Sequence, residues 1–164
     1  MIPVWSNYIQ QEELKYFHKS IDDRHIMEGP VLREFEQRMS ELLDVPYVIG
    51  TASGSAALAL ALMGIGIKPG DEVIVPDLTF IATANAACLL GAEVVLAPTE
   101  KERPILNLDS VEKLITDKTK AIIAVDLNGR ISWSRELKER YGKKGIYVID
   151  DACQAFMSED STAK

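Results

Sequence analysis

The feature that most constrains this chain is an alternation. Short β-branched apolar runs are separated by longer stretches of helical periodicity, with glycine or proline at the joints. Runs at 46–50 (PYVIG), 72–76 (EVIVP), 93–97 (EVVLA), 121–125 (AIIAV) and 146–150 (IYVID) read as strands. Most are apolar at consecutive positions, as strands covered on both faces must be. Between them, 31–43 sets Leu32, Phe35, Met39, Leu42 and Leu43 at helical spacing with charged residues interleaved. Residues 55–63 (SAALALALM) are apolar nearly all round, which predicts a buried helix. Helices over 80–90 and 134–141 end at Gly91 and Gly142, and Asp109-Ser-Val-Glu112 has the form of a capping box opening a helix over 109–115. Strands alternating with helices predict an α/β protein, a three-layer α/β/α sandwich with a mostly parallel sheet.

Residues 1–28 differ from the rest. They are mixed and aromatic (Trp5, Tyr8, Tyr16, Phe17) with no strand signal, and read as an N-terminal arm leading into a domain over 29–164. The polar stretch 157–164 (MSEDSTAK) follows closely on the final strand, which predicts that the strand is only partly covered and that the chain is part of a larger fold. Composition narrows the function classes. Of 164 residues, 47% are apolar and 26% charged, the range of a packed globular domain. Against 18 Lys and Arg stand 25 Asp and Glu, a net charge of −7, which argues against a nucleic-acid surface because phosphate binding needs clustered cations. No apolar run approaches the ~18 residues of a membrane span, and the first residues lack the order of a secretion signal. Cys88 and Cys153 form no CxxC pair, so neither a disulfide framework nor a zinc site is expected. His18 and His25 lie at no metal-binding or catalytic spacing and read as solvated surface. The expected compartment is the cytosol.

In open α/β sheets, ligands bind beyond the carboxyl ends of the strands, so the candidate chemistry follows them. Gly50-Thr-Ala-Ser-Gly-Ser-Ala-Ala57 passes from a strand through small residues into a helix. Small side chains let an anion approach backbone N–H groups at the positive end of the helix, so Gly54 and Ser55 are candidate phosphate ligands; the alternative is a tight turn with a serine cap. The spacing fits neither a P-loop nor a dinucleotide fingerprint, and Gly64–Gly70 follows a helix and reads as a loop. Phe80, just past a strand end, can stack on a planar ring, although such a residue more often packs inward. In Tyr147-Val-Ile-Asp-Asp-Ala-Cys-Gln154 two aspartates end an apolar strand. A carboxylate there is costly without a cation, and a protonated pyridine nitrogen would serve as one; metal ligation and helix capping are the alternatives. Neighbours on a strand face opposite sides, so only one of the pair should meet a ligand. Gln154, about one helical turn on, is placed to hydrogen-bond the same ligand.

Taken together these segments resemble the DegT/DnrJ/StrS family of pyridoxal-phosphate-dependent sugar aminotransferases, of the aspartate-aminotransferase fold. The resemblance covers residues 2–155. Its carriers are Gly29-Pro-Val-Leu-Arg-Glu-Phe-Glu36, Ser53-Gly-Ser-Ala-Ala-Leu58, Gly66-Ile-Lys-Pro-Gly-Asp-Glu-Val-Ile-Val75, Thr79-Phe-Ile-Ala-Thr83 and Val148-Ile-Asp-Asp-Ala-Cys-Gln154, five segments in family order and spacing. It implies that the chain is a partial large domain of the fold and that pyridoxal 5'-phosphate is the cofactor. Gly54 and Ser55 would hold its phosphate, Phe80 would stack on its ring, Asp151 would pair with the ring nitrogen and Gln154 would contact the ring hydroxyl oxygen. It implies a parent reaction that moves an amino group from glutamate to a nucleotide-linked keto-sugar, in a homodimer. Two departures stand out. Asp126 occupies a position where the family commonly has histidine. The family's Schiff-base lysine lies beyond Lys164, so no catalytic residue is assigned within this chain. A non-catalytic or split-enzyme module of the same fold, and a related sugar dehydratase, are the alternative readings.

Overall fold

The computed structural model describes residues 10–158. Trp5 and Tyr8 of the arm, and residues 159–164 of the polar tail, lie outside the described residues. Two compact units are present, Met1–Gly50 and Thr51–Lys164.

The first unit is a helix pair, α1 (Gln11–Asp22) and α2 (Pro30–Leu43). The stretch read as an arm carries the helix α1, and α1 packs with α2 within this unit. Proline opens α2, where its missing N–H costs nothing, and Asp44 closes it in a left-handed conformation with φ 51°. Neither helix buries a residue. Residues 46–50 form no strand, contrary to the sequence expectation. A strand persists only where its backbone groups find a ladder partner; here Tyr47 and Ile49 are exposed, and the Gly50 N–H donates to Glu36 Oε1 at 2.8 Å instead.

The second unit is the α/β sandwich. Its order is α3 (Gly54–Gly64), β1 (Glu72–Pro76), α4 (Ala82–Leu89), β2 (Glu93–Ala97), α5 (Leu108–Leu114), β3 (Thr119–Val125), α6 (Ser134–Tyr141) and β4 (Tyr147–Asp151). The sheet is wholly parallel, in the order β2-β1-β3-β4. Strand alternation builds two cores. Val73, Val75, Ala121 and Ile123 face Leu58, Leu62, Ala86 and Ala87 of α3 and α4. Ile74, Ile122 and Ala124 face Val111, Leu137 and Tyr141 of α5 and α6. Each such Leu, Ile or Val, removed from water, contributes about 1.5–3 kcal/mol. Three layers result, as the alternation predicts.

Two details differ from expectation. Helix α3 is apolar all round yet buries only Leu58 and Leu62, while Leu60 and Met63 are more than half exposed. The sheet takes one stripe of a helix, and no described residue covers the other. Helix α5 is capped by Asn107, whose Oδ1 accepts the Ser110 N–H at 2.9 Å. Asp109 instead sits in the first turn, where its charge favours the helix dipole.

Candidate functional site

The chain order of the sheet places the site. From β1 the chain moves outward to β2, then returns to β3 on the other side and continues to β4. The crevice beyond the carboxyl ends of β1 and β3 is therefore the topological switch point, where open α/β sheets bind ligands. A pocket of about 220 Å³ opens there. Gly54, Ser55, Phe80, Asp151 and Gln154 all line it. The sequence placed these five in three segments spread over a hundred positions, and the sheet brings them to one cavity.

Each is set by its own local structure. Ser53 caps α3, its Oγ accepting the Ala56 N–H at 3.2 Å, and the Thr51 hydroxyl donates to Ser53 O at 3.1 Å. The Thr51 proton is thus used within the turn, while Ser53, accepting through its Oγ, keeps its own hydroxyl proton. The first-turn N–H groups of Gly54 and Ser55 have no intrahelical partner and point a positive helix end at the pocket. Gly54 makes a close approach: a Cβ there would stand 3.2 Å from Cys153 Sγ, a tight contact that the thiol would have to relieve by shifting a few tenths of an ångström. The turn after β1 is tied to β2 by Asp77, whose N–H donates to Ala97 O and whose Oδ1 accepts the Thr99 N–H. It presents Phe80 with 67% of its surface exposed, so this ring lines the cavity and does not pack into the core.

Asp151 ends β4 half-buried, its Oδ1 accepting the Cys153 N–H at 3.2 Å. No cationic side chain pairs with it among the described residues. Asp150 does not line this pocket. Partial desolvation and then the charge of Asp126 push the Asp150 carboxyl above its ordinary pKa, with the Ser134 hydroxyl pulling the other way. The Asp151 carboxylate pushes the Cys153 thiol up, and desolvation adds to it, so this cysteine is a poor nucleophile. Gln154 is oriented by the turn at Leu127–Gly129: Asn128, at φ 56°, donates its N–H to Gln154 Oε1 at 2.8 Å. The side-chain NH₂ of Gln154 is thereby its remaining donor group. Asp126, singled out as a departure, is buried away from the cavity, and its Oδ1 accepts the Ser132 N–H at 2.7 Å.

The sequence reading missed Thr79 and Thr83, which line the same pocket. The signal was present, two threonines four apart around Phe80, but their side-chain directions depend on the turn. It also missed Val125 and Leu127, because strand order decides which strand ends share a crevice. Among the described residues no group of three or more His, Cys, Asp or Glu is arranged to hold a metal ion, and no helix is long and apolar enough to cross a membrane.

Such a crevice, with a positive helix end on one side and, on the other, a carboxylate that has no cationic partner among the described residues, defines an α/β domain with its ligand crevice at the switch point of a parallel sheet. Known proteins narrow that class. The model of the DegT/DnrJ/EryC1/StrS aminotransferase family matches residues 7–163, and the chain belongs to this family. It is 35% identical over 159 residues to GDP-perosamine synthase of Escherichia coli O157:H7, covering 96% of this chain and 44% of that protein. It is 38% identical over 135 residues to dTDP-3-amino-3,4,6-trideoxy-alpha-D-glucose transaminase of Streptomyces venezuelae, covering 82% and 36% respectively. The S. venezuelae DesV structure, in complex with a ketimine intermediate, superposes with TM-score 0.84 at 36% identity, covering 88% of this chain and 39% of that one. NtdA of Bacillus subtilis with bound cofactor PMP superposes with TM-score 0.79 at 32% identity, covering 89% and 34%. The fold is thus that of the pyridoxal-phosphate-dependent sugar aminotransferases, and the chain spans less than half the length of these relatives.

Proposed function

We propose that this chain is the N-terminal part of the cofactor-binding large domain of an aminotransferase that moves an amino group from glutamate to a nucleotide-linked keto-sugar. The observation that carries the reading is the convergence of Gly54, Ser55, Phe80, Asp151 and Gln154 on one pocket at the switch point of the sheet. These residues fit pyridoxal 5'-phosphate. The free N–H groups of Gly54 and Ser55 suit a phosphate, and the missing Cβ at Gly54 keeps the helix end close to the turn after β4. The exposed face of Phe80 suits a planar ring. The half-buried Asp151 lacks a cation among the described residues, and a protonated ring nitrogen supplies one. Gln154, its Oε1 engaged by Asn128, offers N–H to the ring hydroxyl oxygen.

The bound cofactor supplies a protonated pyridine that withdraws electrons from the carbon whose C–H bond breaks. The work of this chain is to keep that nitrogen protonated through Asp151 and to fix the ring against Phe80. The lysine of the reaction, the second wall of the site, the sugar contacts and the second protomer of a homodimer belong, in this reading, to the remainder of the protein. The family relationship and the relatives named for GDP- and dTDP-linked sugars support a nucleotide-sugar substrate. A cytosolic setting accords with such substrates.

Titration with pyridoxamine 5'-phosphate, followed by NMR, tests the reading, since this form of the cofactor needs no lysine bond. Asp151→Asn is expected to weaken binding about 10- to 100-fold, the loss of a charge-assisted hydrogen bond. Asp150→Asn should stay within about threefold, because Asp150 lies outside the pocket. Equal losses for the two, measured in the complete protein, would overturn it.

A further inference from the structure

Thr79 and Thr83, which flank Phe80 in sequence, both line the pocket, with their Oγ1 atoms 3.0 Å apart. Thr83 is 1% exposed, and its N–H already caps the turn by donating to Phe80 O at 3.1 Å. A hydroxyl buried to this degree must place its proton on an acceptor or carry the cost of an unmade hydrogen bond. Among the described residues the partner of Thr83 Oγ1 is Thr79 Oγ1. The satisfied arrangement therefore has Thr83 donating and Thr79 accepting. Two hydroxyls hold two protons, and the pair consumes one. The other belongs to Thr79, which is half-exposed at the cavity.

We propose that Thr79 is a further ligand-binding residue of this pocket, a hydrogen-bond donor to an acceptor oxygen of the bound molecule, and that Thr83 is the positioning residue that commits it to donating. The inference rests on the cofactor reading above and extends it to a residue pair that reading does not use. The acceptor has the chemistry of a phosphate or phenolate oxygen, and the probes separate these two sources.

The test is a titration with pyridoxamine 5'-phosphate and, in parallel, with pyridoxamine, which lacks the phosphate. Thr79→Val should weaken pyridoxamine 5'-phosphate about fivefold, and Thr79→Ser should restore it to within about twofold. Thr79→Val also orphans the buried Thr83 hydroxyl, so the paired variant Thr79→Val/Thr83→Val, which removes both partners and keeps the side-chain shapes, must show the same weakening with its fold intact. Thr83→Val alone leaves a Thr79 hydroxyl free to rotate and should weaken binding less than Thr79→Val does. A fivefold loss confined to the phosphorylated probe assigns the acceptor to the phosphate; a loss with both probes assigns it to the ring oxygen. Unchanged affinity in both Thr79→Val and the paired variant would overturn this inference while leaving the cofactor reading standing. Equal losses for Asp151→Asn and Asp150→Asn in the complete protein would instead overturn that reading, and this inference with it.

Discussion

Helices α1 and α2 carry apolar stripes as regular as any in the chain, yet they bury no residue. Beyond Gly50 the outcome reverses: Leu62, Ile74, Ile122, Ile123 and Leu137 are fully buried. The two regions obey the same rule of periodicity and differ in what they have to pack against. A parallel sheet offers two broad apolar faces, so α3 and α4 on one side and α5 and α6 on the other each find a floor. A pair of helices offers only a narrow seam. Amphipathic pattern therefore decides which side of an element seeks cover; only a second surface of matching width decides whether it is covered.

The contrast can be tested by substitution. Ile122→Ala, at the centre of the sheet, should destabilise the chain by about 2–4 kcal/mol in urea unfolding followed by circular dichroism, the cost of a core cavity. A loss under about 1 kcal/mol would show that the sheet is no tighter than the helix pair. A smaller effect concerns the charge that the α/β unit tolerates. The Asp150 carboxyl titrates above its ordinary value, through partial desolvation first and Asp126 second, so the folded chain holds this proton more tightly than the unfolded one. The group costs nothing below the unfolded pKa; the cost grows as pH rises through the folded value and persists above it. Asp150→Asn should accordingly raise the melting temperature by roughly 1–2 °C at pH 7 and leave it unchanged at pH 3. A gain of equal size at both pH values would place its origin elsewhere. The smallest effect is expected at Phe35 of α2, half exposed despite its place on the apolar stripe: Phe35→Ala should shift stability by no more than about 0.5 kcal/mol. A loss above 2 kcal/mol would erase the distinction between the two regions.

The same distinction explains what could be read in advance. The strands at Glu72–Pro76 and Glu93–Ala97 and the helix at Ser134–Tyr141 fall where the sequence places them, because continuous apolar runs and helical spacing are local signals. Strand β4 begins one residue later than expected and β3 two residues earlier, within the usual uncertainty of element ends. Residues 46–50 carry the same local signal and form no strand, because a ladder needs a partner that their composition cannot announce. The five candidate site residues were legible for a related reason: a glycine-serine helix start, an aromatic after a strand and an acid at a strand end each leave a mark within a few positions. The hydroxyl pair at Thr79 and Thr83 was not, since its meaning depends on a turn that directs both side chains to one point. Nor was the inward retreat of Asp126, which follows from the backbone path that brings the Ser132 N–H to its carboxylate.

Strand β4 pairs with β3 along one side only, and among the described residues nothing pairs with the other. A bare parallel edge with Tyr147 and Ile149 on it is a template onto which another extended segment can add, the first step of edge-to-edge aggregation. Asp150 and Asp151 close that strand with two adjacent negative charges, and stacking a second copy in register would bring four of them together. Like charges brought together disfavour such in-register stacking of a second copy, while a strand without them, such as one from the remainder of a longer protein, could add to the same edge.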